Sequence, residues 1–206
     1  MSAALLFPFD TANETLPRKK FTRQEVEHLT AEGFFEGQRY ELIDGDLIDK
    51  RGQKPPHPFA IQTFFEVLVR IFGFGFVRSQ SSLDVSDADR ERNEPEPDIV
   101  VTERAKTHYL DHHPRGEECL LVAGVFDTTL RLDLTRKAAL YARADVREYW
   151  VLDLKGRRLV VHRQPRDGGY RSIQLFNESD TLSLEDSTEM IRVAELLPPT
   201  APDTAQ

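Results

Sequence analysis

The residue of this sequence best placed for metal chemistry is Asp98. It heads a short apolar, β-branched run within EPEPDIVV, Glu94–Val101, and a second such run, LLVAGVF, follows at Leu120–Phe126 and contains Gly124 but no acid. Two adjacent strands that each carried an acid would make a metal site, because Mg²⁺ prefers hard oxygen ligands and takes one or two protein carboxylates. Only Asp98 is present, so position 124 bears directly on whether the protein is an enzyme.

A second group of polar side chains recurs at helical spacing. Asp133, Lys137 and Tyr141 stand at i, i+4 and i+8, and all three therefore lie along one face of a helix. The simplest interpretation of this pattern is a surface ion pair between Asp133 and Lys137, worth about 0.3–0.5 kcal/mol. From the residues alone, that interpretation is favoured.

Length and composition indicate one domain. The chain has 206 residues, 39% of them hydrophobic, which is enough for one substantial core. We expect residues 1–20 to be a flexible N-terminal segment, 21–197 to form the domain and 198–206 to be a disordered tail. No apolar run approaches the roughly 18 residues of a membrane span, which predicts a cytoplasmic protein. The single Cys119 excludes an internal disulfide and a cysteine-based zinc site, and we expect it to be buried.

The charge is unevenly distributed. The formal net charge of −8 argues against a surface coated with basic residues. Between Arg131 and Arg171, however, there are eleven Lys or Arg against five Asp or Glu, whereas Leu83–Glu118 holds eleven acids, Asp98 among them, against five bases. An acidic pocket beside a basic rim suits metal-dependent phosphodiester chemistry. Solvated surface charge explains both stretches equally well and is the commoner cause.

The first half of the chain contains three recognisable elements. Thr22 and Glu25 form a capping box, which predicts a helix from Thr22 to Gly33 or Gly37. Tyr40–Asp49 places Asp-Gly between two apolar runs, the pattern of a tight β-hairpin. Apolar residues then recur at helical spacing from Ile61 to Phe72, which predicts an amphipathic helix with an aromatic core face.

The second half alternates strands and helices. The runs 99–101 and 120–125 are continuously apolar, as expected of central strands covered on both faces. A helical pattern over 131–144 followed by strand composition over 148–154 predicts a crossover unit. Three further predictions concern less regular segments: strands at 76–78 and 83–85, a hairpin of 158–163 with 170–175, and a cap for the helix from Asp127, Thr128 or Thr129.

Four sequence segments together resemble one family. They read YELIDGDLID, PEPDIVV, LLVAGVFDTTLRLDLTRKAALY and KAALYARADVREYWVLDL. They are similar to the Uma2 family of putative restriction endonucleases, whose fold resembles that of the PD-(D/E)XK nucleases. The resemblance covers Thr22–Leu197, and its most specific element is the EYW-x-x-D strand after a K-x-x-x-Y helix. It implies an α/β fold with a restriction-endonuclease-like core, in which a mixed central sheet is flanked by helices and β-hairpins are added.

The resemblance assigns metal-binding positions, and the sequence departs from them. The family's aspartate after the proline falls on Asp98, and the glutamate of its following strand falls on Gly124. The usual serine of that strand falls on Phe126, a bulky apolar residue. A glycine that usually precedes the last strand motif is Asp145 here, at a position where a helix C-cap favours positive φ.

Three more residues acquire a candidate role by resemblance. Lys137 would orient or help deprotonate the attacking water and neutralise developing phosphorane charge, with the Asp133 ion pair as the alternative. Glu41 would contribute a third carboxylate, or else surface polarity on the hairpin. His57 would contact phosphate or serve a structural role at a helix start.

The resemblance predicts an endonuclease that hydrolyses DNA phosphodiester bonds with Mg²⁺ or Mn²⁺. Because Gly124 replaces a ligand, we expect the metal to be bound weakly and the activity to be impaired, by at least the roughly 10 to 100-fold typical of losing a residue that supports a ligand. Symmetric cleavage of a duplex would favour a homodimer. Two alternatives are a catalytically inactive nucleic-acid or protein interaction module on the same fold, and an acidic structural partner without nucleic acid.

Overall fold

The computed structural model describes residues 18–50, 55–126, 132–185 and 187–199. The elements follow in chain order: α1 Arg23–Ala31, β1 Tyr40–Ile43, β2 Asp46–Asp49, α2 Pro56–Phe72, β3 Val77–Ser79, β4 Ile99–Thr102, β5 Cys119–Phe126, a π-helical turn Asp133–Lys137 continuing as α3 Ala138–Arg143, β6 Glu148–Asp153, β7 Arg158–Arg166, β8 Gly169–Asn177, β9 Thr181–Leu182, β10 Ile191–Arg192 and a 3₁₀ helix Val193–Leu196.

A mixed six-stranded sheet organises the chain, in the order β3-β4-β5-β6-β7-β8. Only β5 and β6 run parallel, and the helical segment 132–143 lies between them in sequence. The other neighbours in the sheet are antiparallel. The predicted mixed α/β fold with its crossover unit is confirmed, and β4 and β5 lie inside the sheet as their continuous apolar sequences indicate.

Each face of the sheet has its own apolar core. On one face, Phe64 of α2 packs against Trp150 of β6, and the C-terminal 3₁₀ helix closes the layer. On the opposite face, Tyr141 of α3 packs against Tyr149 of β6. Alternate residues of β5 divide between the two cores, because side chains of a strand point to opposite faces. The second face carries the polar residues of interest, so it is called the site face below.

The hairpin β1–β2 forms as predicted from its Asp-Gly pair. Both turn residues have positive φ, 49° at Asp44 and 76° at Gly45, as a two-residue turn of this hand requires. The hairpin is held to the rest of the fold by backbone bonds between Leu42 and Glu94 in both directions. The α1 capping box at Thr22 and Glu25 is present, so that prediction is confirmed as well.

The helix before β6 differs from its prediction in one respect. Its first turn is π-helical over Asp133–Lys137, a rare form that often occurs at functional sites. The helix ends as predicted, with Asp145 in the left-handed region at φ 58°. The amides of Asp145 and Val146 bond back to the carbonyls of Ala142 and Tyr141, which is the Schellman arrangement of a helix C-terminus.

One predicted strand is wrong. Residues 83–85 form no strand and contribute only an isolated bridge from Asp84 to Arg115, because the amides of Leu83 and Asp84 bond to two different segments, at Pro95 and Pro114. The hairpin β7–β8 is confirmed and is longer than predicted. The predicted caps at Asp127, Thr128 and Thr129 lie outside the described residues, as do most of the two terminal segments. Among the described helices, none is long and apolar enough to cross a bilayer.

Candidate active site

Asp98 and Gly124 face each other across two central strands. The β4–β5 register pairs Ile99 with Ala123 and Val100 with Val122, which brings Asp98 opposite Gly124 on the same face. Asp98 is buried, and its Oδ2 accepts a 2.8 Å hydrogen bond from the backbone amide of Val125. The carboxylate is therefore fixed in position by the neighbouring strand.

The ring of Phe126 covers Gly124. A Cβ added to Gly124 would lie within 2.5 Å of Cζ and Cε2 of Phe126, far inside van der Waals contact. Residues two apart on a strand share a face, and here the larger side chain folds back over the smaller position. Phe126 is itself buried and belongs to the core of the site face. The space that a side chain at position 124 would enter is thus filled by an aromatic ring.

Lys137 lies in a buried charge cluster. Its Nζ is 2.6 Å from Glu41 Oε1 on β1 and 3.2 Å from Asp133 Oδ1, one turn earlier in the helix. The side chains of Lys137 and Glu41 are 6% and 3% exposed, which rules out the surface ion pair favoured from spacing and the surface role considered for Glu41. The other oxygen of Glu41 accepts a bond from the amide of Glu96, two residues before Asp98.

This cluster fixes the protonation of Lys137. Burial acts to lower the pKa of its amine, but the carboxylates of Glu41 and Asp133 outweigh burial and hold that pKa well above its usual range. Lys137 is therefore an ammonium at neutral pH, able to offset negative charge but not to accept a proton from water. Burial also raises the pKa of the nearby Tyr141 hydroxyl, which stays neutral.

A further residue at the site was missed from the sequence. Lys50 follows β2 directly, and its Nζ lies 3.6 Å from Asp98 Oδ1 and 3.7 Å from Glu96 Oε1. It also donates to the backbone carbonyl of Glu96, while the Glu96 carboxylate pairs with Arg39. A single lysine after a hairpin carries no local signal, so only the long-range packing of the hairpin identifies it.

His57 has a structural contact. Its Nε2 lies 2.6 Å from the carbonyl oxygen of Val125, to which it donates, and so ties the first turn of α2 to β5. The ring is buried. Of the two roles considered for His57, the position at a helix start is the one found.

The basic stretch that follows Arg131 is largely engaged within the protein. The residues of this stretch that contact a carboxylate are Arg136, Lys137, Arg143, Arg147, Arg157, Arg158, Arg163 and Arg166. Several of these pairs are solvent-exposed, and such pairs contribute little stability. The stretch therefore does not form a uniformly free basic surface.

The described residues do not fit a Mg²⁺ ion held between two carboxylates. Asp98 is engaged by an amide and by Lys50, Glu41 by Lys137, and position 124 offers no oxygen. Within the described ranges, no group of three or more His, Cys, Asp or Glu residues could hold a metal ion. Divalent cations in such sites need oxygen ligands that are free to coordinate them.

Known proteins share the fold described above and identify the family of the chain. The chain is similar to a putative nuclease belonging to DUF820 from Anabaena variabilis, with a TM-score of 0.67 at 14% identity over 85% of this chain and 97% of that one. No curated protein matches significantly. The model of the Uma2 family, described as "Putative restriction endonuclease", matches residues 23–196. Since this match spans most of the sequence, the chain belongs to the Uma2 family.

Proposed function

We propose that this protein is a DNA-directed endonuclease relative in which metal-dependent phosphodiester hydrolysis is impaired. Its family and its fold support a nuclease-like function. The observation that carries the second part is the Phe126 ring over Gly124, which leaves Asp98 without a second carboxylate on the facing strand. A site of this class needs both acids to concentrate a divalent cation against a phosphate.

The remaining polar residues retain an arrangement suited to a phosphate. Asp98 is oriented by the Val125 amide, and Lys137 is a fixed positive charge on the same face. A preformed ammonium stabilises negative charge without rearranging, which is the main contribution of a lysine in phosphoryl chemistry. The scaffold is therefore in place, and the expected defect is in metal binding rather than in folding.

The test is to restore the missing side chains. We would incubate supercoiled plasmid with Mg²⁺ or Mn²⁺ and the native chain, Gly124→Glu, and the Gly124→Glu/Phe126→Ser double variant. We expect cleavage from the double variant only, because in the single variant the new side chain collides with the Phe126 ring.

A matched control separates this activity from contamination. Adding Asp98→Asn to the double variant keeps the shape of the side chain and removes its charge, so cleavage should disappear. A folded double variant that does not cleave contradicts the proposal. So does a native chain that cleaves as fast as the double variant and loses the activity on Asp98→Asn.

A non-catalytic interaction module is the second candidate. Its partner would be a nucleic acid or a protein, and the ion pairs of the basic stretch favour a protein, since few of these residues are free to contact a phosphate backbone. A DNA titration at several salt concentrations tests this candidate, because each phosphate contact steepens the dependence of log K on log salt by about 0.9. We expect a shallow slope, equivalent to about two or three contacts, and no binding at all would remove DNA as the partner.

The proposed cleavage of duplex DNA also implies an oligomeric state. Cleavage of both strands at a symmetric position would require a homodimer, since closed two-fold symmetry matches that of the duplex. Light scattering of the native chain with and without DNA measures the number of copies. A chain that stays monomeric on DNA would leave nicking of one strand as the activity to expect from the restored variant.

A further inference from the structure

The position of Lys50 gives Asp98 a counter-charge from the protein itself. The Lys50 side chain is 9% exposed and that of Asp98 5%, so solvent screens their attraction very little. Nζ of Lys50 also donates to the carbonyl oxygen of Glu96, which holds the ammonium at the beginning of β4. Lys50 is therefore anchored at two points beside the carboxylate.

Around Lys50, two acidic and two basic side chains are paired with one another. Asp98 and Glu96 carry two negative charges, and Lys50 and Arg39 carry two positive ones. A buried carboxylate needs such compensation, because removing an ion from water is costly unless it is paired. In a site with a second carboxylate at position 124, the additional negative charge would call for a divalent cation. With glycine at that position, a single ammonium suffices.

We propose that the ammonium of Lys50 replaces the divalent cation at Asp98, so that the site is held together by an internal ion pair. This inference rests on the proposed function only in taking Asp98 as the remaining carboxylate of the site. A metal ion and the Lys50 ammonium compete for the same side of Asp98, since two cations in a poorly screened site repel each other strongly. Lys50 is then a second barrier to metal binding, separate from Gly124 and Phe126.

The first experiment measures the ion pair in the native background. The variants are Lys50→Met, Lys50→Arg, Asp98→Asn and the Lys50→Met/Asp98→Asn double variant, compared by thermal denaturation in EDTA. We expect Lys50→Met to lower the midpoint because Asp98 is left buried without a counter-charge. Lys50→Arg should lower it less, and the double variant should recover part of the loss. If Lys50→Met is as stable as the native chain, or the double variant shows no recovery, the proposal is overturned.

The second experiment measures the competition with a metal. Lys50→Met and, as a control, Lys50→Arg are each added to the Gly124→Glu/Phe126→Ser variant, and Mn²⁺ binding is followed by electron paramagnetic resonance. Lys50→Met should tighten Mn²⁺ binding by at least about tenfold, since a like charge beside the ion is removed. Lys50→Arg should leave binding unchanged.

These results are independent of cleavage. If the two Lys50 variants bind Mn²⁺ equally, Lys50 does not compete with the metal, and the inference is wrong whatever the plasmid assay shows. If Lys50→Met tightens binding but no variant cleaves, the inference stands and the proposed hydrolytic function does not. Should Lys50→Met fail to fold in either background, Lys50→Gln takes its place as the neutral variant in both comparisons.

Discussion

Gly124 and Phe126 lie two residues apart on β5, and each determines what the other position can hold. The Phe126 ring occupies the volume into which any side chain at 124 would extend. A larger residue at 124 alone therefore creates a clash, and a smaller one at 126 alone a cavity. The pair therefore behaves as one structural unit.

A double-mutant cycle measures this coupling. Gly124→Ala should destabilise the native chain by about 1–3 kcal/mol, because its Cβ collides with the ring. In a Phe126→Ala background the same change should cost much less, with a coupling free energy of about 0.5–3 kcal/mol from urea denaturation. Additive effects of the two substitutions would show that the ring moves away freely.

The buried position of Lys137 predicts a large effect on stability. Lys137→Met leaves the Glu41 carboxylate without its ammonium partner in the interior and should cost about 3–5 kcal/mol. The Lys137→Met/Glu41→Gln variant should recover part of that loss, which chemical denaturation would measure. A loss below about 1 kcal/mol, the usual worth of an exposed pair, would contradict the burial of this cluster.

His162 should make stability depend on pH. Its ring lies between those of Tyr149 and Tyr170, and burial lowers its pKa, opposed by a hydrogen bond to the Tyr149 carbonyl. The unfolded state then binds the proton more readily than the folded one. Stability due to His162 is therefore present above the unfolded pKa of about 6.5 and is lost as the pH falls below it.

The His162→Phe variant isolates this contribution. Between pH 7 and pH 5 the native chain should lose stability more steeply than the variant, with a difference in slope of at most about 1.4 kcal/mol per pH unit. Free energies of unfolding at a series of pH values give both slopes. Parallel curves would show that His162 is protonated equally in the folded and unfolded states.

At the level of elements, the parts predicted from sequence are those with a local or periodic cause. The Asp44-Gly45 turn, the Thr22 capping box and the continuous apolar strands each depend on a few neighbouring residues. The Phe126 ring position and the Lys50–Asp98 contact depend instead on how distant elements pack. Residue spacing carries no information about these two contacts. The sequence therefore indicated Asp98, Gly124, Lys137 and Glu41 but neither Lys50 nor the position of the Phe126 ring.

Asp145, at the end of α3, has the positive φ expected of a helix C-cap, and this conformation costs conformational energy. Asp145 adopts φ 58°, a region in which a residue with a Cβ is strained by about 1–2 kcal/mol relative to glycine. Asp145→Gly should therefore stabilise the chain by about 0.5–1 kcal/mol after the greater entropy of the unfolded glycine is subtracted. Asp145→Ala should destabilise it, and thermal unfolding that ranks the two variants in the opposite order would contradict the assigned conformation.

At the scale of the whole molecule, the candidate site residues lie on only one of the two faces of the sheet. The face that carries α2 and Trp150 has a complete apolar core, which contains none of the candidate site residues. The other face combines apolar packing with two buried lysine clusters. Substitutions among the candidate site residues are therefore expected to leave the first core intact.

If protein groups occupy the place of a divalent cation at Asp98, the native chain should bind Mn²⁺ only weakly. Titration of the native chain with Mn²⁺, followed by electron paramagnetic resonance, tests it most directly because the signal of free Mn²⁺ disappears on binding. We expect no site with a Kd below about 1 mM. One Mn²⁺ bound per chain at about 1 μM, and lost on Asp98→Asn, would contradict it.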